Sequence, residues 1–120
     1  MPAAVRDLLH RYFNALNDRD VRACLALVSD DLILEPNQGF AEHGRAAFAD
    51  YLERHMQCYR ETLEQLVILT DPQGAHAACE YHVAGEYLAT DDGLPEACGQ
   101  RYALRVGAFF EIREGLISRI

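Results

Sequence analysis

Two side chains in this sequence have the types and settings for proton chemistry. Glu35 closes the run Leu32-Ile33-Leu34-Glu35-Pro36-Asn37. Three aliphatic residues in succession predict a short strand with no polar side, buried on both faces. Pro36 has no amide hydrogen and stiffens the exit. A carboxylate at the mouth of a buried strand is partly desolvated. Desolvation favours its protonated form and makes it a better proton acceptor at neutral pH than a solvated Glu. The competing reading is a strand that ends in a polar residue because it has reached water. The second side chain, Tyr12, falls in the middle of an apolar helical stripe, so its hydroxyl must meet a backbone partner or a cavity. In the first case it is a core tyrosine, in the second a hydrogen-bond donor to whatever fills the cavity. His55 interrupts a later stripe and reads either as a satisfied interior histidine or as a group facing a ligand.

The elements that position these groups follow from periodicity. Pro2 to Leu16 is predicted to be a helix: Val5, Leu8, Leu9, Tyr12, Phe13 and Leu16 recur at helical spacing, and Pro2 suits a first turn. Asn17-Asp18-Arg19-Asp20 breaks it, and Asp18 or Asp20 can cap a short second helix with Val21, Cys24, Leu25 and Val28 inward. Ser29-Asp30-Asp31 is expected to turn the chain into the strand ending at Glu35. Asn37-Gln38-Gly39 reads as loop and Phe40 to His43 as a brief strand. After Gly44 a third helix, about Arg45 to Tyr59, carries Phe48, Tyr51, Leu52, His55, Met56 and Tyr59 on one stripe.

From residue 61 the period changes to that of strands. Thr62 to Thr70 is one strand, followed by the turn Asp71-Pro72-Gln73-Gly74. Ala75 to Ala89 is a second, with Ala77, Cys79, Tyr81, Val83, Gly85 and Tyr87 on one face and Glu80, His82 and Glu86 on the other. Gly85 is expected to mark a bulge or bend. After the loop Thr90 to Gly99, a third strand over Gln100 to Arg113 turns Tyr102, Leu104, Val106, Ala108, Phe110 and Ile112 one way and Arg105, Glu111 and Arg113 the other. Phe109 is an apolar exception on the polar side. Glu114-Gly115 makes a tight hairpin into a last strand from Leu116 to Ile120, which is expected to be cut short. The fold class is α+β: a cone-shaped, curved antiparallel sheet wrapped around three N-terminal helices. The open end of such a cone is a natural pocket.

One domain accounts for all 120 residues. Net charge is -8, from 19 acidic and 11 basic residues, with no Lys/Arg cluster, so neither nucleic acid nor an anionic membrane is an expected partner. No apolar run approaches a membrane span, and the N-terminus lacks the basic-then-apolar pattern of a signal peptide. Cys24, Cys58, Cys79 and Cys98 match no zinc or redox spacing and are expected to be reduced thiols of a cytoplasmic protein. Glu42-His43 has no second ligand pair at helical spacing, so no metal or other cofactor is expected.

His10-Arg11-Tyr12, Ala15-Leu16-Asn17, Asp20, Ala26-Leu27, Asp30-Asp31 and Glu35-Pro36 resemble the first third of bacterial ketosteroid isomerase. Glu35-Pro36-Asn37-Gln38-Gly39, the stretch from Tyr87 to Pro95 and Gly107-Ala108-Phe109-Phe110 resemble the bacterial "ketosteroid isomerase-related" proteins. With the order of elements, these segments are similar to the nuclear transport factor 2-like superfamily, which also holds the SnoaL-like polyketide cyclases. The resemblance implies a cystatin-like cone and a small apolar ligand. It implies Tyr12 as the tyrosine donor of an oxyanion site, and Glu35 near the position of the base with a one-residue shift. The second acid donor falls near Gly107 or Ala108, which have none to offer. Asn37, His43 and His55 are candidates to replace it.

Three functions are therefore expected to compete. One is a cofactor-independent isomerase or cyclase acting on a ketone, steroid or polyketide, with Glu35 and Tyr12 catalytic. One is a ligand-binding module lined by Asn37, Tyr51, His55, Tyr81 and Phe109. One is a dimerisation module using the outer sheet face. A homodimer is expected in each case.

Overall fold

In the computed structural model, residues 2–37 and 39–120 are described. The first helix, α1, spans Pro2–Asn17 and buries Val5, Leu8, Leu9, Tyr12 and Phe13 of the stripe read from the sequence, with its last member, Leu16, only partly buried. Two polar anchors lay it along the sheet. Arg6 Nη1 donates to the carbonyl of Ile68 at 2.7 Å. The Asn17 amide donates to the Leu63 carbonyl at 3.0 Å and accepts from the Leu63 amide at 2.8 Å, acting as a short substitute for a neighbouring strand. Asp20 accepts from the Ala23 amide at 3.0 Å and starts α2, Val21–Leu25.

β1 is Val28–Leu34, longer at its start than its apolar core predicts. Ser29, Asp30 and Asp31 do not turn the chain but belong to the strand. Its partner, β6 (Leu116–Arg119), supplies a ladder that no local signal announces, and the guanidinium groups of Arg45 and Arg113 take the two outward aspartates. β2 is only Glu42–His43. The loop expected at Asn37-Gln38-Gly39 includes Gln38, which lies outside the described residues. α3 covers Arg45–Cys58. Arg19 donates to the carbonyls of Met56 and Tyr59 at its C-terminal end, where helix carbonyls otherwise lack partners.

β3 (Tyr59–Thr70), β4 (His76–Tyr87) and β5 (Arg101–Arg113) form a long antiparallel meander. The sheet has six strands in the order β2-β1-β6-β5-β4-β3. Its one parallel pairing, β1 with β6, makes it mixed rather than wholly antiparallel, and it curves around the helices without closing. The Glu114-Gly115 hairpin holds both residues at positive φ, 54° and 75°, the conformation that matches strand twist in a two-residue turn.

The irregularity expected at Gly85 lies elsewhere. The register runs unbroken through Gly85 on both sides, and the bulge is in β3 between Glu64 and Val67, where Gln65 has φ 56°. Gly85 is a glycine for another reason: an added Cβ would lie 2.1 Å from the Tyr102 ring. The core under the sheet joins the α1 stripe to Leu32, Phe48, Leu52, Cys79, Phe110 and Ile117. Cys24, Cys58 and Cys79 are buried free thiols, and burial pushes Cys24 and Cys79 up to about 11, so they sit there as small apolar groups. No helix among the described residues is long and apolar enough to cross a membrane.

Candidate functional site

A cavity of about 310 Å³ opens between α1, α3 and the concave face of the sheet. Tyr12, Glu35, Asn37, Tyr51, His55 and Tyr81 all line it, so six of the seven side chains named as catalytic or ligand-lining meet at one place, while His43, the other candidate donor, is not among the lining residues. Phe109 does not. Strand alternation turns it to the convex face, where it is 80% exposed.

Tyr12 is the deepest polar group. It is 5% exposed, and its ring meets Phe13 and Phe110 edge-on at 5.6 and 5.9 Å. Its hydroxyl has no hydrogen-bond partner among the described residues. Burial pushes its pKa well above the ordinary phenol range, with smaller contributions from Cys24, Tyr81 and Tyr51, so the group stays protonated and available to donate. On β4, Tyr81 packs edge-on against Phe13 at 4.9 Å and is likewise pushed up by burial, to about 12.

Glu35 stands at the rim, not inside. β1 ends at Leu34, and although the Glu35 amide still donates to the Ile120 carbonyl at 2.7 Å, the side chain is 55% exposed. Arg119 Nη1 donates to Glu35 at 2.5 Å, while its Nε pairs with Glu111 at 2.9 Å. Of the two readings of Glu35, the partly desolvated one is absent and the water-reaching one holds: β1 ends on a buried Leu34, and the side chain after it has passed into water beside a guanidinium. Asn37 is exposed at the same rim, and Gly107 forms part of the wall where the resemblance implied an acid donor.

The polar side chains with the most partners lie across the mouth. His55 is held between two aromatic rings, stacked on Tyr51 with centroids 6.0 Å apart and tilted against Tyr59 at 4.9 Å. Its Nε2 lies 2.8 Å from Glu61 Oε1. The Tyr102 hydroxyl donates to the other oxygen, Glu61 Oε2, at 2.5 Å. Burial alone would push the Glu61 carboxyl up, but the hydrogen bonds from His55 and Tyr102 outweigh it and hold the group below the ordinary carboxylate range. An ionised carboxylate only accepts hydrogen bonds, so Nε2 of His55 carries the hydrogen. Glu61, Gly85 and Tyr102 are direct cross-strand neighbours on β3, β4 and β5. Because the middle one is glycine, the Tyr102 ring lies over it and reaches Glu61 two strands away. Beside them the Tyr59 hydroxyl donates to Asp91 at 2.8 Å, and the Tyr87 hydroxyl accepts from the Asp91 amide at 2.9 Å, tying down the 90–99 loop next to the mouth.

Glu61 escaped the sequence reading. It lies near the start of β3 between Arg60 and Thr62, and only the three-strand row reveals its partners. The signal that could have found it is the coincidence of a glycine in an otherwise full strand with a tyrosine at the start of the next.

The model of the SnoaL-like domain matches residues 9–120. The chain belongs to the SnoaL-like family. This places the SnoaL-like domain in the nuclear transport factor 2-like superfamily, as the resemblance implied. Solved structures agree. A "putative polyketide cyclase" from Pseudomonas putida is 45% identical, with TM-score 0.94 over 96% of this chain and 86% of that one. Another of the same description, from Xanthomonas campestris pv. campestris, is 43% identical, with TM-score 0.94 over 98% and 87%. A Mycobacterium tuberculosis protein in complex with estradiol-17beta-hemisuccinate shares the fold at 18% identity, with TM-score 0.78 over 97% of this chain and 89% of that one. No curated protein matches the sequence.

Proposed function

We propose that this SnoaL-like domain binds a small, flat, mostly apolar molecule bearing a carbonyl or enol oxygen. We propose further that it acts on that molecule, without a cofactor, as a cyclase or isomerase by proton transfer at a carbon next to the oxygen. The observation that carries the reading is Tyr12: a buried phenol, kept protonated, with its hydroxyl unpartnered among the described residues, in a cavity whose volume lies at the small end of ligand sites. A carbonyl oxygen that gains charge as its neighbouring carbon is deprotonated is the partner such a donor stabilises most. Relatives at 45% and 43% identity, each described as a "putative polyketide cyclase", and a steroid ester bound in the same fold are in keeping with that ligand class. Glu35 is the acid that the first strand brings to the rim, and to act as a base it must first leave Arg119.

That ion pair also supports a second reading, a binding module that uses Tyr12 for recognition and performs no chemistry. Thermal-shift measurements with steroids, flat polyketides and terpenoid epoxides separate the outcomes when repeated on Tyr12→Phe and Glu35→Gln. Loss of response in Tyr12→Phe with turnover in the wild type supports the enzyme. Response without turnover supports the binding module. If both variants keep every response of the wild type, the site is misplaced.

A homodimer through the convex sheet face belongs to the same proposal. Val67, Leu69 and Phe109 are 51%, 63% and 80% exposed on strands of that face, an apolar patch of the kind monomers seldom leave in water.

A further inference from the structure

We propose that His55, oriented by Glu61, is the base that moves the proton in this cavity. The inference rests on the ligand-binding reading above and names the catalytic group within it. Four observations carry it. His55 lines both the cavity and its mouth. Its Nε2 is committed to Glu61 at 2.8 Å, while Nδ1 takes no hydrogen bond among the described residues, leaving one lone pair for a ligand. Tyr51 and Tyr59 fix the plane of the ring from two sides. Tyr102 holds the second oxygen of Glu61 from the far side, and Gly85 is the residue that lets it reach. An imidazole whose far nitrogen donates to a fixed carboxylate has the tautomer and orientation of a general base, and the carboxylate stabilises the imidazolium as it forms. Glu35, exposed and paired with Arg119, has neither advantage.

The step balances without any other reactant. Nδ1 takes the proton from the carbon beside the carbonyl. The electron pair of the broken C–H bond becomes the second bond of an enolate, and the carbonyl oxygen takes the negative charge and accepts a hydrogen bond from Tyr12. The imidazolium then returns the proton to a carbon of the same framework, so the protein ends as it began. His55 touches the reacting carbon. Glu61 is a positioning residue, and Tyr102 positions Glu61.

The probe is beta-tetralone, a fused aromatic ketone with acidic protons next to its carbonyl. Proton NMR in deuterated buffer reads their exchange, and titration reads binding. The wild type is expected to bind the ketone and speed the exchange. His55→Gln is expected to bind it equally well and lose about a hundredfold in rate, the scale of a lost general base. Glu61→Gln removes the charge that favours the imidazolium, so the inflection in the rate-pH profile is expected to move to lower pH, which a merely structural role would not do. The charged and titratable groups sharing that mouth are Arg19, Arg54, Tyr59, Glu61, Asp91 and Tyr102, beside the stacked Tyr51, so the shift is read against a Tyr102→Phe control that leaves the charges in place. Nitrogen NMR of the imidazole is expected to find the hydrogen on Nε2, independent of any ligand. Binding without exchange, exchange that survives His55→Gln, exchange lost only in Glu35→Gln, or the hydrogen on Nδ1 each overturns this inference and leaves the binding pocket standing. Failure of the ketone and of the wider ligand panel to bind overturns both.

Discussion

Removing single polar atoms separates recognition from folding at this site. Tyr12→Phe deletes a hydroxyl that bonds to nothing among the described residues, so the fold is expected to lose little. Ligand response and any turnover are expected to fall, turnover by about a hundredfold if the hydroxyl stabilises an enolate. Melting curves with and without ligand, and rates on the same samples, check it. Glu61 behaves oppositely, because its partners are internal. Its carboxyl sits below its ordinary value of 4.5, so its ionised form stabilises the fold above that pH, and the contribution disappears as pH falls through the lower folded value. Urea titrations of wild type and Glu61→Gln are expected to differ most above pH 4.5 and to converge as pH falls through the lower folded value. A gap that persists at the lowest pH would assign the effect to packing instead.

At the scale of elements, the row Glu61-Gly85-Tyr102 joins three strands through side chains rather than backbone. Gly85→Ala places a methyl inside the Tyr102 ring and is expected to cost about 1–3 kcal/mol by overpacking, measured by denaturant unfolding. In the background of Tyr102→Ala the same change is expected to cost far less, since the clash is gone, and the difference between the two backgrounds is the coupling. The glycine was legible in the sequence as an oddity in a strand of period two, but its expected meaning, a bend, belongs to Gln65 in β3. Composition shows that a side chain is missing without showing what fills its place. The short helix α2 is legible for a firmer reason. Its Asp20 cap acts within three residues of itself, and Asp20→Ala is expected to cost about 1 kcal/mol in the same unfolding measurement.

For the molecule as a whole, the convex face carries the remaining expectation. Light scattering behind a sizing column is expected to find a dimer for the wild type, and a monomer for Leu69→Glu/Phe109→Glu, which puts two charges into the exposed apolar patch. A dimer that survives both changes would move the interface elsewhere. Because the cavity faces the helices and the patch faces away from them, the double variant is expected to keep its ligand response.

The sequence by itself determined the helices, the three long strands, the inward faces of β4 and β5 and the tight turns, because those depend on periodicity and turn chemistry within a few residues. Placing Tyr12 inside needed only the α1 stripe. Tertiary structure alone decided the rest. Whether Glu35 ends in a dry cleft or in water depends on Arg119, 84 residues later. Ser29 to Asp31 extend β1 because β6 comes to lie beside it. Glu61 meets His55 and Tyr102 because sheet register lines up three strands and a helix ends beside them. Local pattern tells which face of an element is apolar. The partner a polar side chain finds is chosen by whichever distant segment the folded chain brings within hydrogen-bonding reach.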